Sequence, residues 1–281
     1  MIRIRDGDGV RRVTIDRPER RNALTPAALD DLAAAVEDPP TPVVAIRGAG
    51  PAFCAGADLD SVAAVARETV EGLEAGSDVG TGAGAGAGTG TGVGDERTDG
   101  DETGNGSDGD SDDGPESPAA AFARRGQRTA AAIESSPAVV VAGVDGAARG
   151  GGLELAAACD LRVATPDATF GEPGVTFGLF GAWGGTHRLR RVVGEGVAAD
   201  LALSGRVLDA EAALRTGLVS RITDDPNAVA REVAGNAAAA LERLKPLMRS
   251  RAPAGEQERD ERTAFAALVA EQADSLVDRK G

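Results

Sequence analysis

The chain has 281 residues, of which 42% are hydrophobic and 2% aromatic, with no Tyr. This length and apolar content can supply the core of one large domain, which must be built mainly from Ala, Val and Leu. The formal net charge is −15, and this argues against nucleic acid as a partner because nucleic-acid binders need a basic footprint.

The N-terminal sequence "MIRIRDGDGVRR" lacks the apolar core of a signal peptide, and no run of the chain reaches the length of a membrane span. The two cysteines, Cys54 and Cys159, are too few for a disulfide framework and lie beside apolar residues. We therefore expect a cytoplasmic protein with two buried free thiols and no membrane partner.

The first predicted elements alternate between strands and helices. The segments "RRVTID" and "PVVAIRG" have the composition of strands. Between them, "TPAALDDLAAAVED" predicts a helix with Thr25 as its N-cap and Pro26 at its first position. The second strand leads into the turn "GAGPAFCAGADL" and then into "LDSVAAVARE". Asp58 is either the N-cap of this last segment or a ligand contact.

Residues 75–118 interrupt this pattern. The segment alternates Gly with small residues and then becomes acidic, with eleven Asp or Glu residues against the single Arg97. It has almost no apolar side chain to bury, so we expect a disordered insertion.

The second half of the chain again mixes helices and strands. The segment "AAAFARRGQRTAAAIESS" predicts a helix, "AVVVAGVDG" and "LRVAT" predict strands, and "LDAEAALRTGLVSRI" predicts a capped helix that runs into a strand. From Pro226 only helical patterns follow, including an apolar stripe with Phe265, Leu268 and Val269. The sequence therefore predicts an α/β fold, with a core of residues 1–74 and 119–225 and a helical C-terminal region of residues 226–281.

The stretch "GAARGGGLELAAACD" places four glycines before an apolar helical run, with Glu154 in its first turn. A phosphate-binding P-loop needs Lys and Ser or Thr after its last glycine, and Leu153 and Glu154 follow here. The dinucleotide spacing is also absent. A glycine turn at a helix start instead exposes unpaired N–H groups that can hold negative charge developing on a carbonyl oxygen.

Four motifs occur in an order that resembles the crotonase (enoyl-CoA hydratase/isomerase) superfamily. They are "IDRPERRNALT", "GAGPAFCAGADL", "DGAARGGGLELAAACDLRVATPDATFGEPG" and "GLFGAWGGTHRLRRVVG". The resemblance covers the chain apart from residues 75–118. It implies a spiral of ββα units, a C-terminal helical region used for oligomerisation as a homotrimer or a dimer of trimers, and acyl-CoA thioester substrates. It implies no metal, and no cofactor beyond the coenzyme A that the substrate carries.

The resemblance also assigns roles by position. The backbone N–H groups of Ala57 and Gly151 would form an oxyanion hole, and Glu154 falls on one of the two catalytic glutamates of the hydratases. The acyl-CoA site would be lined by Ala55, Ala57, Asp58, Leu59, Asp60 and Gly151. For Arg20 and Arg21 we favour solvated surface over contact with CoA phosphates. His187 is expected near a helix start, and a nucleophilic pair of Cys54 and His187 lacks an orienting Asn or Asp.

The motif that carries the second glutamate of the hydratases departs from the pattern. That position is Gly174 in the segment "FGEPGVTFGL", and Glu172 lies two residues earlier. Glu172 is either a substitute catalytic acid or a polar residue at the rim of the site, and the rim is the favoured interpretation. Three functions therefore stay open, which are a hydratase acting on trans-2-enoyl-CoA, an isomerase or other acyl-CoA enzyme with one carboxylate, and a non-catalytic acyl-CoA-binding homologue. We rank the hydratase first.

Deletion of residues 75–118 tests the predicted insertion. Joining the two flanks with a short Gly/Ser linker is expected to leave the melting temperature nearly unchanged, because the segment offers no apolar anchors. Thermal unfolding followed by circular dichroism measures this directly. A loss of many degrees would show instead that the segment packs against the core.

Overall fold

The computed structural model describes residues 1–77, 116–273 and 277. Its strands form two sheets. The strands are β1 Ile2–Gly7, β2 Val10–Ile15, β3 Val43–Gly48, β4 Ala52–Cys54, β5 Val139–Val144, β6 Ala147–Arg149, β7 Leu161–Ala164, β8 Thr169–Gly171, β9 Val207–Asp209 and β10 Arg221–Ile222.

Helices connect and cover these strands. They are α1 Pro26–Glu37, α2 Leu59–Ser77, α3 Pro118–Ser135, α4 Gly151–Ala158, α5 Gly185–Ser204, α6 Ala210–Arg215, α7 Pro226–Ala234, α8 Ala238–Arg249 and α9 Ala254–Glu271, with short 3-10 helices at Pro18–Arg20 and Pro173–Phe177. None of the helices in the described ranges is long and apolar enough to cross a membrane.

The larger sheet has six strands in the order β1-β2-β3-β5-β7-β10. The first pair is antiparallel and the other neighbours are parallel. All six residues of β5 are buried, as expected for a parallel strand covered on both faces. One face packs against the main core, and the other face is covered by α7 through Val229 and Ala230.

The smaller sheet has four strands in the order β4-β6-β8-β9. Its first three strands each follow a strand of the larger sheet after a short turn, so that β3-β4-α2, β5-β6-α4 and β7-β8 repeat one arrangement. This confirms the predicted α/β fold built from ββα units. Because α2 and α4 begin just after β4 and β6, their N-termini lie at neighbouring strand ends, and this arrangement forms the site described below.

The five strands predicted from the sequence are confirmed as β2, β3, β5, β7 and β10. The predicted N-cap is also present, since Thr25 Oγ1 accepts a hydrogen bond from the N–H of Ala28 at 3.3 Å. The sequence did not indicate the three-residue strands of the smaller sheet. At the two ends of the predicted insertion, residues 75–118, the structure differs from the prediction, since α2 continues through Ser77 and Ser117 caps α3, which begins at Pro118. Residues 78–115 lie outside the described residues.

From Pro226 onward the described residues form α7, α8 and α9, which are joined by short non-helical segments. Helix α8 reaches the core through Lys245, which is buried, whereas α9 has no buried residue. Of the predicted apolar stripe, Phe265 is 69% and Val269 41% exposed. Assembly through this region stays a prediction.

A buried asparagine fixes the turn between β3 and β4. Asn22 is fully buried, with a φ of 59°, and its side-chain amide donates to the carbonyls of Ala49 and Ala52 while its oxygen accepts the N–H of Arg17. Its own carbonyl accepts the thiol of Cys54. Asn22 therefore holds the backbone that leads to Ala57.

Replacement of this asparagine should be strongly destabilising. Asn22→Ala is expected to lower the free energy of unfolding by about 2–4 kcal/mol, because it leaves buried backbone groups without partners and places Ala in a left-handed conformation. The matched control is Asn236→Ala, since the side chain of the exposed Asn236 donates to carbonyls of the preceding helix α7, and there we expect about 0.5 kcal/mol or less. Urea unfolding of both variants makes the comparison, and equal effects would contradict this role of Asn22.

Candidate active site

Glu154 lies in the first turn of α4, directly behind the turn that joins β6 to this helix. Gly150 makes that turn with a φ of 48°, a conformation that residues with a Cβ rarely adopt. All eight residues of α4 are buried, and Glu154 itself is 1% exposed. A surface acid that merely compensates the helix dipole does not fit this burial.

One oxygen of Glu154 accepts two backbone hydrogen bonds. Its Oε1 atom lies 3.0 Å from the amide nitrogen of Trp183 and 2.6 Å from that of Gly185. Both amides belong to the turn that begins α5, where the positive end of the helix dipole also favours an anion. Two N–H donors on one oxygen stabilise the ionised form of the carboxyl.

Glu172 directly follows β8 and enters the same region from the opposite direction. It is 5% exposed, and its Oε1 atom is buried with no hydrogen-bond partner in the described parts of the chain. A polar residue at the rim of the site would be more exposed than this, so the rim interpretation of Glu172 does not fit its burial. A buried carboxyl without partners is expected to hold its proton, because desolvation penalises the charged form.

The two carboxyl groups face each other beneath Gly181. A Cβ atom at Gly181 would lie 2.8 Å from Cδ of Glu154, 3.0 Å from its Oε1 and 2.9 Å from Oε2 of Glu172. The two oxygens are therefore no more than about 6 Å apart, which is the span of one water molecule hydrogen-bonded to both. A Cβ atom at Gly181 would therefore push the two carboxyl groups out of their present positions.

Burial and proximity raise the pKa of both groups. Desolvation raises the pKa of Glu154 to about 7, against the opposing effects of the N–H groups of Gly185 and Trp183 and of the Arg188 charge. Desolvation and the neighbouring Glu154 raise the pKa of Glu172 to about 8. The two groups titrate as a coupled pair, and at neutral pH the pair holds about one proton.

Gly174, where the resemblance places the second glutamate, has no room for a side chain. A Cβ atom there would lie 2.9 Å from Cα of Phe180 and 3.1 Å from the carbonyl oxygen of Leu179. In this chain the second carboxyl comes instead from Glu172, two residues earlier.

The amides of Ala57 and Gly151 also lie close together. A Cβ atom at Gly56, where φ is 89°, would lie 2.9 Å from the nitrogen of Gly151. Standard covalent geometry then puts the nitrogens of Ala57 and Gly151 within about 7 Å of each other. In the described chain neither N–H donates a hydrogen bond. The bonds from Leu24 N to Gly56 O and from Asp58 N to Leu24 O hold this backbone in place.

A cavity of about 270 Å³ opens onto the carboxyl pair. It is bounded by the 3-10 helix after β8 and by α5, and its wall beyond the carboxyls is mostly apolar. The residues that line this part are Val175, Phe180, Leu189, Ala198, Ala202 and Leu203.

Known proteins match this chain in both sequence and fold. The family described as "Enoyl-CoA hydratase/isomerase" matches residues 5–75 and 107–271. The chain belongs to this family. Its sequence is 33% identical over 232 residues to "Probable enoyl-CoA hydratase EchA14" of Mycobacterium tuberculosis, covering 81% of this chain and 72% of the relative. Over a shorter stretch of 101 residues, the chain is 44% identical to a "Crotonyl-CoA hydratase" of Syntrophomonas wolfei. This match covers 36% of this chain and 39% of the relative.

Solved structures share the fold over nearly the whole chain. An enoyl-CoA hydratase from Thermoplasma volcanium superposes with a TM-score of 0.74 at 26% identity, covering 99% of this chain and 96% of that one. DspI of Pseudomonas aeruginosa superposes with a TM-score of 0.72 at 27% identity, covering 96% of each. The chain is therefore an enoyl-CoA hydratase/isomerase family member in both sequence and fold.

The remaining residues assigned through the resemblance lie on the other side of the Gly56 turn. Asp58 is buried and accepts contacts from Arg17 at 3.3 Å and from Ser61 at 3.2 Å, in the position that precedes α2. Asp60 is exposed and pairs with Arg20 at 2.7 Å. Leu59 is 67% exposed and Ala55 is half-buried. None of these lines the carboxyl cavity, and their role in binding substrate stays a prediction.

Cys54 and His187 show no sign of acting as a nucleophilic pair. The Cys54 thiol is buried and donates to the carbonyl of Asn22, and burial raises its pKa to about 12. It is therefore not a thiolate at neutral pH. His187 lies in the first turn of α5, as expected from the sequence.

Sequence reasoning missed three contributors to the site. They are the N–H groups of Trp183 and Gly185 and the close approach of Gly181. The run "GLFGAWGGTH" was the available signal, since repeated glycines in a loop often mark backbone that approaches another group closely.

The raised pKa of Glu172 makes stability depend on pH in a defined direction. The folded protein binds a proton at Glu172 that the unfolded chain has lost above its ordinary pKa of 4.5. The contribution of Glu172 to the free energy of unfolding is therefore fully present below about pH 4.5 and is lost as pH rises through about 8. Glu172→Gln should match the wild type in melting temperature near pH 5 and exceed it by several degrees at pH 9.

The control for this prediction is Glu211→Gln, an exposed acid in the first turn of α6. Its difference from the wild type should not change with pH. A Glu172→Gln difference that is equally independent of pH would show that Glu172 is ionised in the folded protein.

Proposed function

We propose that this protein is a hydratase that adds water to the C2=C3 bond of trans-2-enoyl-CoA thioesters. The observation that carries the proposal is the pair of buried carboxyl groups in one cavity, one bearing two N–H donors and the other bearing none. A pair that shares one proton contains both a base and an acid at neutral pH, and hydration needs one of each.

The thioester oxygen accepts the N–H groups of Ala57 and Gly151 in this proposal. Attack at C3 moves electron density onto that oxygen, and each hydrogen bond to it contributes on the order of 3 kcal/mol by analogy with other oxyanion holes. The closeness of the two amides and their lack of other acceptors in the described chain support this role.

The environments of the two carboxyl groups support a proposed role for each in proton transfer. Glu154 is the base, since two N–H donors favour its carboxylate, and its Oε2 atom accepts a proton from water as the water oxygen bonds to C3. Glu172 is the acid and gives its proton to C2, to which the electron pair of the enolate returns. Proton exchange with solvent then restores the starting pair. Besides the protein, these steps need only the enoyl-CoA substrate and one water molecule.

Activity assays with matched variants test this assignment. With crotonyl-CoA, the wild type should cause the conjugated-thioester absorbance to fall. Glu154→Gln and Glu172→Gln should each lower kcat by about 10²-fold or more, with the melting temperature at pH 7 reduced in neither. Glu211→Gln, which removes an exposed first-turn acid from α6, should retain full activity.

Other outcomes point to the other functions. Loss of activity in Glu154→Gln alone, with turnover of a 3-enoyl-CoA by the wild type, would indicate an isomerase with one carboxylate. Binding of crotonyl-CoA without turnover of either substrate would indicate a non-catalytic homologue.

A further inference from the structure

The position of Glu154 depends on a turn that no sheet supports. Its two N–H donors come from Trp183 and Gly185, on either side of Gly184, which has a φ of 95°. This turn lies between the 3-10 helix and α5, outside both sheets. Something other than strand pairing must therefore hold the two amides in place.

Arg188 lies directly under this turn. It is 5% exposed, its Nη1 atom donates to the carbonyl of Trp183 at 3.0 Å, and its Nη2 atom donates to Oε2 of Glu134 on α3 at 2.6 Å. The contact is tight, since a Cβ atom at Gly184 would lie 1.9 Å from Nη1. The guanidinium thus ties the turn to α3.

Helix α8 holds the other end of this connection. Arg249 pairs with the second oxygen of Glu134 at 3.2 Å and with Asp160 at 2.6 Å, and Lys245 pairs with Asp160 at 2.9 Å. Both Glu134 oxygens are therefore occupied by arginines from two different helices. These ion pairs hold in place the Glu134 carboxylate to which Arg188 donates.

We infer that Arg188 is a positioning residue for the proposed hydration, which holds the Trp183–Gly185 turn so that both amides donate to Glu154 and which keeps a positive charge near that carboxylate. The inference rests on the proposed function for its kinetic consequences only. An arginine suits this role because its planar fork can bond a carbonyl and a carboxylate at once, whereas a lysine offers a single nitrogen.

The charges around Glu154 give the direction of the effect on pH dependence. Glu172 faces it from the end of β8 and raises the pKa of the pair, and Arg188 on α5 lowers the pKa of Glu154. Around Arg188 stand Glu134 from α3, Arg249 from α8, and His187 and Arg191 from α5. Removal of the Arg188 charge should therefore raise the pKa of Glu154, and the acid limb of kcat should move to higher pH.

The test compares Arg188→Gln, Arg188→Lys and a control, Arg162→Gln. Arg162 is a suitable control because its guanidinium also donates to backbone, to the carbonyls of Leu218 and Cys159, and it does not line the cavity of the carboxyl pair. We expect Arg188→Gln to lower kcat about tenfold or more with KM changed little, and to shift the acid limb upward by about half a pH unit or more. Arg188→Lys should keep the limb near that of the wild type while kcat remains reduced. Arg162→Gln should leave both kcat and the acid limb of the pH profile unchanged.

A second readout separates this inference from the proposed function. In protein labelled with ¹³C at glutamate carboxyls, the Glu154 signal is identified by its absence from Glu154→Gln, and its titration is followed in each variant without any substrate. An upward shift in Arg188→Gln alone supports the inference even if crotonyl-CoA is not turned over. An unchanged Glu154 titration, with kcat loss no greater than in Arg162→Gln, overturns it. If Arg188→Gln does not fold, a kcat of Arg188→Lys equal to that of the wild type would also overturn the inference.

Discussion

Two backbone N–H groups, those of Trp183 and Gly185, converge on one oxygen of a carboxyl group that is 1% exposed. Burial alone would hold Glu154 in its neutral form, and these donors offset part of that effect. Glu172 has no such donors on its buried oxygen within the described chain. The difference between two otherwise equivalent side chains is thus made by the backbone of a turn, and the proposed division into base and acid rests on it.

The same site depends on close backbone approach at several positions. Gly152 packs against the carbonyl of Cys54, Gly56 against the nitrogen of Gly151, and Gly181 and Gly185 against Glu154. A single methyl group would break each contact, because its carbon would lie under 3.0 Å from the nearest atom in every case. The glycines of "GAGPAFCAGADL", "GAARGGGLELAAACD" and "GLFGAWGGTH" therefore serve one purpose, which is to let backbone amides and carboxyl groups meet in a small volume.

Local sequence predicted those parts of the molecule that local forces determine. The strands β3 and β5, the Thr25 cap and the place of Glu154 at a helix start all follow from patterns within a few residues. Three-residue strands such as β6 and β8 are too short to show a period of two. The burial of Glu172 and the bond between Arg188 and Glu134, 54 residues apart in the chain, depend on the assembled fold, and no local pattern encodes them.

The network that ends at Lys245 and Arg249 has a consequence for synthesis of the protein. The strands and helices that carry Glu154 and Glu172 leave the ribosome well before α8, because synthesis proceeds from the N-terminus to the C-terminus. Until residue 249 emerges, Glu134 and Asp160 lack the cations that α8 supplies. A nascent chain can thus collapse around both sheets while Glu134 has only Arg188 as its partner, and the ion pairs of Arg249 and Lys245 form only with one of the last helices to be made.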